Sequence, residues 1–322
     1  MTKANRTKKR KGRGRLRVPP AALGISALAV IGAYIILLSE EVGGYVLEGL
    51  SLALTRVIPT ALPFMIISDL YMCYGHAEDI KPLGVIFEKI FGIPRVALRA
   101  FITGCVCGFP IGVKAVAQLY KGGALSRHEA ERLCAYCSNP SCAFIIGAVG
   151  AGIYGDIKIG AVLFFSVIGS TLIIGILSRR NVEKINIPVF IPEQSFSFVE
   201  SVSSAALSCL SVSAFISLFA AIGGTVKKHC ALAPVRYALL ALLEVTAGVE
   251  FFASEAPLCG LLSVSLSAFT LGFGGISVML QSAYFLRGTD LTLTKYFTLK
   301  LAQGVICALI CSGLFLLITR GF

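Results

Sequence analysis

The chemistry in this chain begins with a lysine in apolar surroundings. Lys114 stands in TGCVCGFPIGVKAVAQLY (103–120), one helical turn past a Gly108-Phe109-Pro110 break. An ammonium near a bilayer centre costs at least about 2.5 kcal/mol on the mildest scale, so a partner or a function must hold it there. Two alternatives stay open: Lys114 lies off-centre and snorkels to the interface, or it pairs with a glutamate. A second break follows at Asn139-Pro140, where proline removes an amide donor and blocks the carbonyl one turn back. That leaves Cys137, Ser138 and Asn139 with polar backbone, unless the proline only kinks the helix.

Around these breaks lie groups suited to holding a small solute. Gly108, Gly112, Gly272, Gly274 and Gly275 let backbone approach a ligand closely, or serve only to make turns. Phe109 and Pro110 form the tip of the first break, and Gln118, Asn139, Ser141, Ser277 and Gln281 offer neutral hydrogen bonds. Helices starting at Ile111, Ser141 and Ile276 point positive amino ends inward, and Lys114 adds a full charge, which favours an anion. The incoming arms bring negative carboxyl ends nearby and temper that preference. Asp69 and Glu244 are candidates for coupling transport to H+ or Na+, with Glu250 and Glu255 beside the latter; solvation of interfacial carboxylates is the alternative. Cys134-x-x-Cys137 followed by Cys142 has ordinary one-face helical spacing without a second ligand pair, so no metal site and no cofactor is expected.

The elements that must position these groups are membrane helices. Of 322 residues, 56% are hydrophobic and 14% charged, with a mean hydropathy of +0.83, which excludes an ordinary soluble domain. Residues 1–17 carry nine basic side chains and no acid, and an apolar run follows over 18–38. The run is too long for a secretory signal, so it is expected as a retained transmembrane helix behind a cytoplasmic tail. Repeat one is placed at 42–152, with a span at 57–74, an amphipathic surface helix at 77–94, a re-entrant hairpin at 96–120 and a broken helix at 127–152. Each hairpin arm has about a dozen residues, short of the roughly 20 needed to span, and irregular backbone at that depth is tolerated only inside protein or along a cavity. Ser126 and Glu129 form a capping box at the start of the broken helix.

A linking transmembrane helix at 157–178 and a polar linker at 181–195 lead to repeat two at 196–319, with its own hairpin at 257–286. Segment 46–67 aligns without gaps on 198–219, FEKIFG on LEVTAG, GFPIGVKAVAQ on GFGGISVMLQ, and LSRHEAERL on LTLTKYFTLKL. Their shared order points to an internal duplication. Three crossings between equivalent points make the halves inverted. With the amino terminus inside, 20 of the 29 Lys and Arg residues fall on the cytoplasmic side. The fold class is therefore an all-α polytopic membrane protein of two inverted repeats, its hairpin tips meeting near the midplane at a substrate site.

Enzyme readings find no support. The chain has no G-x-x-x-x-G-K-[ST] loop, no H-E-x-x-H and no G-x-S-x-G, and RHEAER has arginine where a zinc motif needs its second histidine. The net charge of +12 is concentrated in the amino-terminal tail without a folded basic face, which argues for anionic lipid rather than nucleic acid. The expected partners are the bilayer, a small anionic solute, and further copies of the chain.

TGCVCGFPIGVKAVAQLY, LSRHEAERLCAYCSNPSCAFIIGAVG, LEVTAG and GFGGISVMLQS together resemble the gate or nucleoside-recognition domain family, and within it sporulation integral membrane proteins linked to dipicolinate transport. The resemblance covers roughly 42–319. It implies a fold similar to concentrative nucleoside transporters in a bacterial cell or forespore membrane. It carries ligand roles to Gly108, Pro110, Gly112, Lys114, Asn139, Gly272, Gly275 and Gln281. What it implies of function is secondary transport of a small anionic metabolite, dipicolinate first. The alternatives are a nucleoside or other solute, or a non-transporting gate-domain partner in a membrane complex. The short central linker, the basic tail and Cys142 depart from the family pattern.

Overall fold

Helices stop in this chain where proline removes an amide or glycine turns the backbone left-handed. The computed structural model describes residues 29, 32–74, 81–180, 197–255 and 259–320. The expected basic tail 1–17, most of the first span 18–38 and the linker 181–195 lie outside them. The chain divides into a unit of residues 1–43, whose described part is helical, and a unit of residues 44–322. No strand occurs among the described residues.

Helix α1 (Ser39–Leu52) runs through a π-helical turn, Ala53–Val57, into α2 (Ile58–Tyr74). The span expected at 57–74 is thus continuous with the helix before it, with Pro63 accommodated inside it. After α3 (Lys81–Phe91) comes the pair α4 (Ala97–Cys107) and α5 (Ile111–Lys121), which pack on each other and join through Gly108 at φ +83°. Helix α6 (Arg127–Cys137) opens with the expected capping box: Glu129 N donates to Ser126 Oγ at 3.3 Å and Ser126 N to Glu129 Oε2 at 2.9 Å. It stops at Ser138, and the chain resumes as a π-helix, Ala143–Ile153. Helix α7 (Ile157–Leu177) completes this half.

The second half begins with α8 (Phe198–His229), capped by Ser197 and Glu200, followed by α9 (Ala233–Leu243) and α10 (Val245–Glu250). Then come α11 (Gly260–Phe273), α12 (Gly275–Phe285) and α13 (Thr294–Arg320). Four stretches are long and apolar enough to cross a membrane: Ile157–Leu177, Phe198–His229, Gly260–Phe285 and Thr294–Thr319. This is a helical membrane protein. Helix α2 packs along α8, so the two segments whose sequences align are neighbours.

The second pair differs from the expected hairpin. Helix α11 packs on α13 and α7, whereas α12 packs on α8, α9 and α5, so the arms diverge rather than fold back on one another. Gly274 and Gly275, at φ +87° and +76°, turn the chain, but Gly272 seats α11 against Gly304 and Cys307 of α13 instead of against α12. The start of α13 is tied to α6 through Glu131, which accepts from Lys295 Nζ at 2.7 Å and from Thr292 N and Oγ1 at 3.1 and 2.8 Å.

Without a water-driven hydrophobic effect between helices in lipid, small residues and close contact hold such a bundle together. A Cβ on Gly112 would stand 2.0 Å from Cys137 O and 2.7 Å from Gly104 Cα. A Cβ on Gly147 would meet nothing within 4 Å. Gly112→Val is therefore expected to destabilise by at least about 2 kcal/mol, the scale of core overpacking, while Gly147→Ala stays near neutral. Thermal unfolding of the purified variants checks this, and equal midpoints would contradict the close contact.

Candidate functional site

Lys114 lies in the first turn of α5, just past the Gly108–Pro110 tip, and Gln118 follows one turn later on the same face. Both reach Asp69 on α2. Lys114 Nζ donates to Asp69 Oδ2 at 2.7 Å and Gln118 Nε2 to Asp69 Oδ1 at 3.2 Å, while Ser204 Oγ of α8 accepts from Lys114 Nζ at 3.1 Å. Asp69 is 1% and Lys114 9% exposed. The lysine is thus neither snorkelled nor paired with a glutamate; its partner is the aspartate that the sequence suggested for a separate role. Coulomb attraction at this separation offsets desolvation only because hydrogen bonds satisfy both groups. Two polar atoms beside the pair are left over: Gln118 Oε1 and, one turn from Ser204, Ser201 Oγ are buried without a hydrogen bond among the described residues.

A second cluster surrounds the Asn139-Pro140 break. Pro140 cannot donate to Tyr136 O, and Asn139 Nδ2 fills that place at 2.8 Å. Ser138 O accepts from Lys300 Nζ of α13 at 2.6 Å. Lys300, fully buried, also donates to Gln303 Oε1 at 2.8 Å, and Gln303 Nε2 donates to Asn139 Oδ1 at 2.8 Å and Thr171 Oγ1 at 2.9 Å. Ser138 Oγ and Tyr296 OH lie 2.9 Å apart. Among the described residues no carboxylate pairs with Lys300; the cation stands instead at the carboxyl end of α6, where the helix dipole favours it. Ser141 Oγ accepts from Phe144 N at 3.2 Å and starts the next segment.

The breaks touch one another. A Cβ on Gly108 would lie 2.8 Å from Ser141 N, and Gly112 faces Cys137 O, so these glycines admit the protein's own backbone. Phe109 packs into the apolar cluster of Ile145, Val149 and Val278. Gly274 sits where a Cβ would be 3.7 Å from Lys300 Cε, and Gly275 where it would be 3.1 Å from Leu243 O. Pro110 is the residue before α5, and Gly272 rests against α13. Ser277 and Gln281 pair within α12, Nε2 to Oγ at 3.1 Å, and among the described residues make no hydrogen bond to either lysine cluster.

Glu244 is buried where α9 gives way to α10, and its Oε2 accepts from Ala247 N at 2.7 Å. With Glu48, Glu250, Lys227 and Lys228 it lines a cleft of about 1070 Å³ between α1, α8 and the α9–α10 corner. Glu255 has no described side-chain environment. Cys134 and Cys137 are in the core and Cys142 is exposed, so the three thiols do not converge.

Sequence reasoning misses Ser204, Thr171, Gln303 and Arg99, and touches Lys300 only as part of the segment LTLTKYFTLKL that aligns on LSRHEAERL. Arg99 donates to Met72 O at 2.9 Å and to Tyr71 O, binding α4 to the end of α2. The signal in the sequence is the same for Arg99 and Lys300 as for Lys114: a basic residue inside an apolar run.

The chain is similar to "Sporulation integral membrane protein YlbJ" of Bacillus subtilis (strain 168), 27% identical over 306 residues that cover 81% of this chain and 74% of that protein. No family model matches the chain, so its likeness to gate-domain proteins rests on the motifs alone. No solved structure matches it.

The ion pair makes a testable pattern. Asp69→Asn or Lys114→Gln alone leaves a buried charge unpaired and is expected to cost roughly 3–5 kcal/mol. The double variant should recover most of that in thermal unfolding. A double variant as unstable as the sum of the singles would deny the pairing.

Proposed function

We propose that this protein is a secondary transporter of a small anionic metabolite, with dipicolinate the first candidate, working by alternating access around the two helix breaks during spore formation. The observation that carries the reading is the buried Lys114–Asp69 pair beside a helix break, with Gln118 Oε1 and Ser201 Oγ unsatisfied next to it. Ionisable groups inside a membrane protein mark solute or ion paths by default, and orphaned buried polar atoms call for a partner.

The mechanism follows from exchange at Lys114. A substrate carboxylate takes the ammonium from Asp69, which leaves Asp69 without its counter-charge at depth and in want of a cation, H+ or Na+. Substrate and that cation then move together, which makes Asp69 the coupling residue. Glu244 is left as a helix cap at the head of a cleft through which solute approaches. Lys300 holds the Asn139 break in shape. The similarity to a protein named for sporulation supports placing the activity in a spore-forming bacterium. The matched order of helices in the halves, with α3 and α9, and α5 and α12, of equal length, supports an internal repeat, while the contact of the start of α6 with the start of α13 through Glu131 and Lys295 argues against its inversion, which would put those two points on opposite faces.

One observation favours a second reading. Asp69 cancels the charge of Lys114, so the site as it stands is neutral and would suit a nucleoside or other uncharged solute. Flux into liposomes containing the purified protein separates the two. The anion reading expects dipicolinate uptake driven by a proton or sodium gradient, lost in Lys114→Ala and Asn139→Ala variants that still insert, and indifferent to nucleosides. Inhibition by nucleosides but not dicarboxylates selects the neutral solute. No flux from folded wild type under proton or sodium gradients overturns transport by this chain alone.

A further inference from the structure

A second concentration of positive charge lies outside the two lysine clusters. At the end of α7, the start of α6 and the start of α13, a pocket of about 310 Å³ is lined by His128, Arg132, Ser178, Arg179, Arg180 and Lys295. Its volume is at the low end of pockets that hold small molecules, roughly 300–1,000 Å³. Its walls are built. Arg132 is buried and fixed, Nη1 donating to Ser178 O at 2.7 Å and Nη2 to Gly92 O at 2.9 Å. Lys295 is held between Glu131 Oε2 at 2.7 Å and His128 Nδ1 at 3.0 Å. Glu131 is already engaged by Arg127 as well, and Glu129 is turned back onto its own helix start. Arg179 and Arg180 are exposed and form no ion pair among the described residues. Among the described residues, Arg179, Arg180 and Lys295 thus face the pocket beside one committed carboxylate, with the fixed Arg132 guanidinium behind them.

The pocket has an apolar side that a free anion would not use. Leu177 and Leu299 belong to its lining. From there an exposed apolar face runs on along the packed helices α7 and α13, with Ile173, Ile176 and Leu177 at 38, 51 and 73% exposure and Leu301 and Val305 at 37 and 48%. A basic mouth at the end of an apolar face matches an amphiphile with a negative head.

We infer that this pocket binds the phosphate headgroup of an anionic phospholipid, its acyl chains lying along α7 and α13. Arg132 and Lys295 form the fixed floor, and Arg179 and Arg180 close over the phosphate. Basic pockets between membrane helices are suited to such headgroups, and each Lys or Arg near the surface contributes on the order of 1 kcal/mol. A bound lipid would also bridge α6, α7 and α13, the three elements that carry the Asn139 break.

The test titrates the full-length protein, in neutral detergent, with phosphatidylglycerol, phosphatidylcholine or inorganic phosphate, following the unfolding midpoint. Phosphatidylglycerol is expected to raise the wild-type midpoint, and the other two are not. Lys158→Gln, which removes a charge at the opposite end of α7, should keep the response. Arg179→Gln and Arg180→Gln should each require about fivefold more phosphatidylglycerol, and the double variant roughly thirtyfold more. The single variants keep the test open if the double variant folds poorly. Equal response to phosphatidylcholine, or an undiminished response in the arginine variants, overturns the inference. A shift produced by inorganic phosphate alone replaces the lipid with a soluble anion and overturns it equally.

Discussion

A carbonyl freed from its helix inside a bilayer has no water to turn to, and this constraint organises the centre of the protein. Proline at 140 frees the carbonyl of Tyr136, and the ending of α6 frees that of Ser138. Asn139 returns its own side chain to the first, and Lys300 crosses from α13 to the second. Gln303 and Thr171 then complete Asn139, so a single break in one helix recruits α7 and α13 and fixes how three helices meet. Remove the break and a buried lysine would have no reason to be there.

The Lys114–Asp69 pair obeys a different logic. It repairs no broken backbone; the hairpin tip before it is already closed by hydrogen bonds from Ile111 N to Gly108 O and from Lys114 N to Pro110 O. Replacing such a pair with apolar residues is often neutral for stability, so stability alone does not account for its presence at depth. Of the two buried lysines, one thus serves the backbone of the Asn139 break and the other a carboxylate beside the hairpin tip.

The halves resemble each other in sequence order more than in packing. Helices α4 and α5 close into a hairpin, while α11 and α12 diverge across their glycine pair. The cleft bounded by α1, α8 and the α9–α10 corner ends at Glu244, whose neighbour across the contact is Gly275 of the diverging pair.

The sequence by itself determined that this is a helical membrane protein, where its helices break, and that Lys114 and Asn139 are exceptional. These follow from composition, from proline and glycine chemistry and from the cost of burying charge, all of which act locally along the chain. The capping box at Ser126 and Glu129 was legible for the same reason. Only the tertiary structure decided who meets whom. Asp69 reaches Lys114 across 45 positions and Lys300 reaches Ser138 across 162, and no local rule ties an aspartate to one lysine rather than another. The glycines at 108 and 112 show the same limit: their lack of a side chain was visible in sequence, but whether a ligand or the protein's own backbone fills the space depends on the neighbour that packing brings.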